Sequence, residues 1–162
     1  KAVKAIVDAV GGIKVTVPMD MNYDDPVDGL HIHFKKGQVV SKGEDIIKLL
    51  RYRKNNKGGG YKDGDLGRVK MQQEIVKLGM EKVLKGNIVA NFLKLQGPIK
   101  EYVKTNMSPK QMAFYTAKAN KIKRENISMQ TIPGRADSIN RLSFYVVNKD
   151  KMKEVLKPIT EE

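Results

Sequence analysis

Segments with the apolar spacing of β-strands alternate along this chain with segments that have the spacing of helices. Alternating apolar residues predict strands over 13–17, 30–34, 127–132 and 143–147. Apolar residues three and four apart, together with cap residues, predict helices over 1–10, 41–53, 65–85, 108–123 and 149–156. Residues 87–104 are predicted to form one helix or a helix pair broken at Gly97-Pro98. Interleaving of this kind predicts an α/β domain, which we expect to be layered α-β-α around a central mixed sheet.

Two of these helices carry recognisable start signals. Ser41 followed by Glu44 has the spacing of a capping box, and Ser108 before Pro109 has a cap residue followed by proline in the first turn. Residues 22–29, in contrast, contain three aspartates, a proline and a final glycine and predict a turn.

The composition indicates a folded domain with an anionic partner. The chain has 162 residues, of which 40% are hydrophobic and 30% charged, so one packed core is expected. Its net charge of +13 favours nucleic acid, an anionic membrane surface, or a phosphorylated lipid or glycan as a partner. Cysteine is absent, which excludes disulfides and thiolate metal sites.

The strongest chemical signal lies in the middle of the chain. Arg51-Tyr52-Arg53 precedes a loop rich in glycine, asparagine and lysine, and Asp65 to Gln73 then open a helix that carries Arg68 and Gln72. Guanidinium groups match phosphate oxygens in a bidentate way, and a helix N-terminus adds free N–H groups. The segment therefore predicts a site for a ligand with more than one phosphate.

Simpler interpretations of the same residues remain open at this point. Asp65 has the position of a helix N-cap, the role that spacing alone favours, although the same carboxylate can act as a base or orient the arginines. Arg51 and Arg53 favour the dipole at a helix C-terminus. If the backbone there is extended, both guanidinium groups point to one side and repel each other unless an anion lies between them.

Two histidines also share one side of a predicted strand. His31 and His33 are two residues apart, and with one further ligand they could hold a metal ion. Neither a cysteine nor another histidine exists to complete such a site, so a surface pair is the favoured interpretation. The acidic positions between Asp20 and Asp28 lack the ordered spacing of a calcium loop.

Several segments in order resemble a known family. They are Val7 to Ile13 before a strand, Leu30 to Gly37, Arg51-Tyr52-Arg53 at a helix end, Asp65 to Gln73, and Ile132-Pro133-Gly134 with Ser143-Phe144-Tyr145. Together they resemble the LytR–CpsA–Psr family of cell-wall glycopolymer transferases along nearly the whole chain. The loop between Arg53 and Asp65 is longer than the family pattern.

The resemblance implies transfer of a glycopolymer, such as teichoic acid or capsule, from a polyprenyl-pyrophosphate carrier to peptidoglycan. It implies that Arg51, Arg53 and Arg68 hold the pyrophosphate beside Gln72, and that Asp65 orients an arginine or assists catalysis with Arg53 and Arg68. It also implies an apolar lipid tunnel, for which the candidate lining residues are Val76, Met80, Val83, Leu84 and Phe92.

The resemblance covers only the second part of the family's catalytic domain, so residues 1–162 are expected to form one partial domain. Magnesium is expected in the complete domain, with ligands that lie outside this chain. The complete protein is expected at the extracytoplasmic face of the membrane, held by an N-terminal anchor, and the 162 residues alone are expected to be inactive. A basic nucleic-acid-binding module is the alternative, which only the net charge supports.

Overall fold

A computed structural model describes residues 1–85, 87–122 and 126–160, without the side chains of residues 120, 143 and 158–160. The chain divides into two compact units, residues 1–124 and 125–162. The single partial domain predicted over 1–162 stays a prediction. Among the described residues, every helix is too short or too polar to cross a membrane.

The first unit contains five helices and four short strands within its described residues. In chain order they are α1 Ala2–Ala9, β1 Val15–Thr16, β2 Met21–Asp25, β3 Leu30–Phe34, β4 Val39–Val40, α2 Gly43–Arg51, α3 Asp65–Leu84, α4 Ile88–Tyr102 and α5 Pro109–Lys118. A short 3-10 turn, Ala119–Lys121, follows α5. The second unit contains β5 Gly134–Ile139, β6 Leu142–Val147 and α6 Lys149–Thr160.

The predicted α/β class is confirmed, but the strands are arranged differently from the prediction. The described strands form three antiparallel two-stranded sheets, β1 with β4, β2 with β3 and β5 with β6, where one central mixed sheet was expected. The strands of β2–β3 and β5–β6 follow each other in sequence, so a short turn is enough to pair them, whereas parallel pairing needs a long crossover.

One turn prediction was too long and one strand prediction was wrong. The turn predicted over 22–29 is confined to 26–29, because residues 21–25 form β2, with Met21 in the core and the acidic side chains facing solvent or β3. The strand predicted over 127–132 instead begins at Gly134. Pro133 has no N–H to donate to a ladder, so pairing with β6 starts only after it.

The core of the first unit lies between α1, α2 and the β2–β3 hairpin. Val7, Met21, Ile32, Ile46 and Leu49 are almost completely buried there. Alternation along β3 directs Leu30, Ile32 and Phe34 inward and the two histidines outward. This packing fixes the hairpin and also α2, whose last residue, Arg51, begins the arginine segment.

The start of α2 is capped from another helix. The predicted capping box is absent: the N-cap residue is Lys42 and makes no side-chain cap bond. Instead Asp8 of α1 accepts a hydrogen bond from the backbone N–H of Gly43 at 2.8 Å, and this bond lowers the pKa of the Asp8 carboxyl. A Cβ atom on Gly43 would lie 2.5 Å from the Lys4 carbonyl oxygen, so glycine allows the two helices to approach this closely.

Candidate functional site

Two of the three predicted arginines share one carboxylate. Arg68 Nη2 lies 2.9 Å from Asp65 Oδ1 and 3.1 Å from Oδ2, and Arg53 Nε lies 3.6 Å from Oδ1. Gly64, not Asp65, is the N-cap residue of α3, so the cap interpretation of Asp65 was wrong. The carboxylate instead lies between two guanidinium groups and holds them near the helix N-terminus.

Arg68 also has a donor without an acceptor. Its Nε atom is fully buried, and no hydrogen-bond acceptor reaches it from the described part of the chain. A buried donor left in this state costs about 1–3 kcal/mol. An acceptor supplied from outside the described residues, such as a phosphate oxygen, would remove that cost.

Tyr61 packs against the start of the same helix. A Cβ atom on Gly67 would lie 2.3 Å from the Tyr61 Cβ, so the ring lies where a side chain at position 67 would be. The ring also makes an edge contact with Tyr52, with centroids 5.5 Å apart. The Tyr61 hydroxyl is buried and finds no partner among the described residues, and burial raises its pKa to about 12. It is therefore a neutral donor at pH 7.

The loop between Arg53 and Asp65 is fastened to β2. Asn55 Oδ1 accepts hydrogen bonds from the Asn22 backbone N–H and the Tyr52 hydroxyl, both at 2.7 Å. Asn56 accepts from the Asp24 N–H at 2.6 Å and donates to the Asp24 carbonyl at 2.9 Å. These contacts, which the sequence did not predict, fix the loop between the two arginines.

Arg51 is directed to a different carboxylate. Its Nη2 atom lies 2.6 Å from Asp28 Oδ2, in the turn between β2 and β3. Arg51 is the last residue of α2 and its side chain is 44% exposed. That Arg51 belongs to the phosphate site stays a prediction, since its ion pair links it to the hairpin and not to Asp65.

Gln72 connects the arginine site with an apolar groove. It follows Arg68 by one helical turn, its Nε2 donates to the Leu50 carbonyl at 3.1 Å, and both Gln72 and Leu50 line the groove. The groove has a volume of about 530 Å³. Its other lining residues are Val3, Ile6, Val7, Val10, Ile13, Ile75, Val76, Gly79, Met80, Val83, Leu84 and Ile122.

Four of the five predicted tunnel residues line this groove, and Phe92 of α4 is not among them. Two of the four, Val76 and Met80, are 50% and 37% exposed. Ile75 is the buried residue of that turn. Val76 and Met80 border an open groove, and for this reason solvent reaches them.

Among the described residues, no three carboxylates lie close enough together to hold a magnesium ion between them. Mg²⁺ prefers octahedral oxygen ligands, and the carboxylate of Asp65 is already matched by two arginines. The one described group of three potential metal ligands, Asp24 with His31 and His33, contains two imidazoles. Sequence reasoning missed Asp24 here because residues 22–29 were predicted to be a turn and not a strand paired with β3.

Comparison with known proteins places the chain in a family. The LytR_cpsA_psr family model matches residues 1–161. The teichoic acid transferase TagV of Bacillus subtilis is 32% identical over 105 residues, which are 64% of this chain and 26% of TagV. The teichoic acid transferase TagU of Bacillus cereus strain ATCC 14579 is 30% identical over 133 residues, covering 81% of this chain and 39% of TagU.

The fold is shared as well. The crystal structure of Bacillus subtilis TagV matches 99% of this chain and 59% of the TagV chain, with a TM-score of 0.74 and 23% sequence identity. The chain spans less than half the length of the two curated relatives above. With a family model that matches residues 1–161 and a common fold, the chain belongs to the LytR_cpsA_psr family.

Proposed function

We propose that this chain provides the pyrophosphate and lipid site of an enzyme that transfers a glycopolymer from a polyprenyl-pyrophosphate carrier to peptidoglycan. TagV and TagU carry the name polyisoprenyl-teichoic acid–peptidoglycan teichoic acid transferase, which supports this class of reaction. A glycopolymer of the teichoic acid or capsule type is the expected donor.

The buried Nε atom of Arg68 carries the proposal. Asp65 accepts a hydrogen bond from Nη2 of the Arg68 guanidinium group. The Nε–H of the same group has no acceptor among the described residues. A phosphate oxygen would accept this bond once the partly exposed Arg68 side chain rotates to bring Nε to the surface, and Arg53 on the other side of Asp65 would contact the same diphosphate. Arg51 would join them only after leaving Asp28, so its role is the least supported of the three.

The apolar groove is the second observation behind the proposal, because it offers a binding site for the lipid half of the substrate. A polyprenyl pyrophosphate needs a cationic site directly beside an apolar channel. Gln72 provides that junction, one turn from Arg68 and on the groove wall. Val76, Met80, Val83 and Leu84 would contact the prenyl chain, which would cover the exposed Val76 and Met80.

In the proposed reaction a sugar hydroxyl of peptidoglycan attacks the phosphorus atom that carries the glycopolymer. The new P–O bond forms as the bond to the bridging oxygen breaks, and the lipid phosphate leaves with the electron pair. The proton of the sugar hydroxyl passes to solvent water. Arg53 and Arg68 act as catalytic residues by neutralising charge on the phosphate oxygens, an effect that dominates many phosphoryl transfers. Asp65 is a positioning residue, since both of its oxygens contact Arg68.

The proposal includes parts that lie outside these 162 residues. Magnesium would be bound by residues of the complete protein, because the described residues do not fit it. The complete protein would act at the extracytoplasmic face of the membrane, held by an anchor. We expect the 162-residue chain alone to be inactive, and measurable glycopolymer transfer by that chain would contradict this.

The arginine roles are tested in the complete protein with a lipid-linked glycopolymer substrate. Arg53→Ala and Arg68→Ala are each expected to lower turnover by about a thousandfold while the fold is retained, because a charge-stabilising arginine is worth that much in phosphoryl transfer. Arg135→Ala is the matched control, since Arg135 is 79% exposed and pairs only with Asp137 among the described residues. Wild-type turnover in either test variant would overturn the assignment.

The groove is tested by placing a charge on its wall. Val76→Asp is expected to abolish binding of a polyprenyl pyrophosphate, because the carboxylate would lie against the prenyl chain. Val39→Asp is the control, since Val39 of β4 is 60% exposed and outside the groove. Equal lipid binding by both variants, with salt-sensitive binding to arbitrary DNA, would favour the nucleic-acid alternative.

A further inference from the structure

Two histidines and an aspartate meet on the solvent side of the β2–β3 hairpin. Asp24 Oδ1 lies 2.6 Å from His31 Nδ1 and 3.1 Å from His33 Nε2. Each residue offers one potential metal-ligand atom, and the three atoms lie within 4.8 Å of one another. The mechanism proposed above uses none of them.

The strand register creates this cluster. Asp24 is paired directly with His31, and Asn22 is paired with His33. The two histidines project from one face of β3, while Ile32 between them is completely buried on the other. The ligand atoms therefore project from strands that the core holds in place, which is the kind of support that a precise site requires.

Asn22 orients one of the rings. Its Oδ1 atom lies 2.7 Å from His33 Nδ1, so it accepts the N–H of the tautomer that leaves the Nε2 lone pair free. Histidines that bind metals usually donate their second ring N–H in this way, and the partner fixes the ring. His33 Nε2 is the nitrogen that faces Asp24.

We propose that Asp24 Oδ1, His31 Nδ1 and His33 Nε2 bind one divalent transition-metal ion of the zinc type. Bonds of about 2.0–2.1 Å in a tetrahedral site place ligand atoms roughly 3.3 Å apart. The 3.1 Å separation is close to this value, and the 2.6 Å pair would widen by roughly 0.7 Å to reach it. Two imidazoles with one carboxylate suit zinc, nickel or copper, whereas magnesium and calcium prefer oxygen.

The site would keep one position open and would connect two parts of the chain. The side chains of Asp24, His31 and His33 are 45%, 59% and 57% exposed, so water can supply a fourth ligand. Asn56 holds the backbone of Asp24 with two hydrogen bonds. A metal ion there would link β2 to β3 and also steady the loop that separates Arg53 from Asp65.

The composition makes the experiment direct. His31 and His33 are the two histidines of the 162 residues, and cysteine is absent. A preparation without an affinity tag would be titrated with Zn²⁺ while calorimetry measures binding and NMR follows the imidazole C–H signals. We expect one equivalent to bind, with both histidine signals shifted. Mg²⁺ at the same concentration should leave those signals unmoved.

Variants assign the ligands. His33→Ala and Asp24→Asn are each expected to weaken zinc binding by at least about tenfold, and Asn22→Ala by about tenfold through loss of ring orientation. Glu74→Gln serves as the control, because Glu74 is an exposed carboxylate on α3, outside the cluster. Because all three ligand side chains are exposed, these variants should keep the wild-type circular dichroism spectrum.

Two results would overturn the proposal. The first is Zn²⁺ that fails to shift the histidine signals. The second is zinc affinity that His33→Ala and Asp24→Asn leave equal to that of Glu74→Gln, which would place any bound zinc elsewhere on the chain.

Discussion

The hairpins β2–β3 and β5–β6 have nearly the same length and the same antiparallel pairing, yet their environments differ. In β3 every second residue is buried, and Ile32 has no exposed surface. In β5 and β6 the described side chains are exposed or only partly buried, and Leu142 is 63% exposed. Backbone pairing alone thus forms a hairpin, but it does not fix the side chains on its surface.

The first hairpin is also held by polar contacts. Asn55 and Asn56 attach the arginine loop to its edge, and Asp28 in its turn pairs with Arg51. With one face in the core, the other face can present polar groups at defined distances. The arginine loop and the histidine cluster both depend on this support, and the difference between the hairpins can be tested in four comparisons.

The largest expected difference concerns apolar burial. Ile32→Ala should lower the free energy of unfolding by about 3 kcal/mol, because it removes a fully buried side chain and leaves a cavity. Leu142→Ala in β6 should cost about 1 kcal/mol or less, since water already reaches most of that side chain. Urea denaturation of both variants measures the two values. Equal losses would mean that the hairpins are supported alike.

The next effect concerns the polar attachment of the loop. Asn56→Ala removes both hydrogen bonds to the Asp24 backbone and should cost about 1–2 kcal/mol locally. Hydrogen exchange at the Asp24 amide should accelerate by about tenfold as a result. Lys57→Ala, an exposed change in the same loop, provides the control. Unchanged exchange in Asn56→Ala would show that the loop does not support the hairpin.

Substitutions in the two hairpin turns should change stability in opposite directions. Arg141 has φ 65° in the β5–β6 turn, so Arg141→Gly should stabilise the hairpin by about 0.5–1 kcal/mol. Gly29 has φ 60° in the β2–β3 turn, and Gly29→Ala should destabilise by about 1 kcal/mol. Thermal melting of the two variants compares them. A destabilising Arg141→Gly would indicate that the arginine side chain makes a favourable contact that outweighs its backbone strain.

The smallest effect concerns the exposed ion pairs. Asp28→Asn should cost less than about 1 kcal/mol, because both partners of the Arg51 pair are partly exposed. Asp137→Asn should cost still less, since its partner Arg135 is 79% exposed. Double-mutant cycles at low and high salt measure both coupling energies. A coupling that salt does not weaken would show that the Arg51 pair is shielded from solvent.

Local patterns predicted the elements that depend on nearby residues. β3 has the predicted bounds, α3 begins at the predicted residue, and the Ser108 cap is confirmed with a full capping box to Gln111. The cap of α2 was mispredicted, because its partner is Asp8, 35 positions away. Short-range periodicity and capping are visible in sequence, whereas contacts between distant segments depend on how helices pack.

The candidate site divides in the same way. The resemblance named Arg53, Asp65 and Arg68. In the structure the two arginines lie on either side of the Asp65 carboxylate. Sequence spacing did not predict that Arg51 would pair with Asp28. It also missed the third member of the histidine cluster, since Asp24 approaches His31 only through the register of β2 with β3.

The sequence by itself determined the α/β class, the chemical groups present and, through the resemblance, the family. Only the tertiary structure decided which carboxylates Arg51, Arg53 and Arg68 face and which buried donors find no acceptor among the described residues. Periodicity and charge belong to neighbouring residues and can be seen in the chain itself. Desolvation and ion pairing depend on distances of a few ångströms between residues far apart in sequence, and packing alone sets those distances.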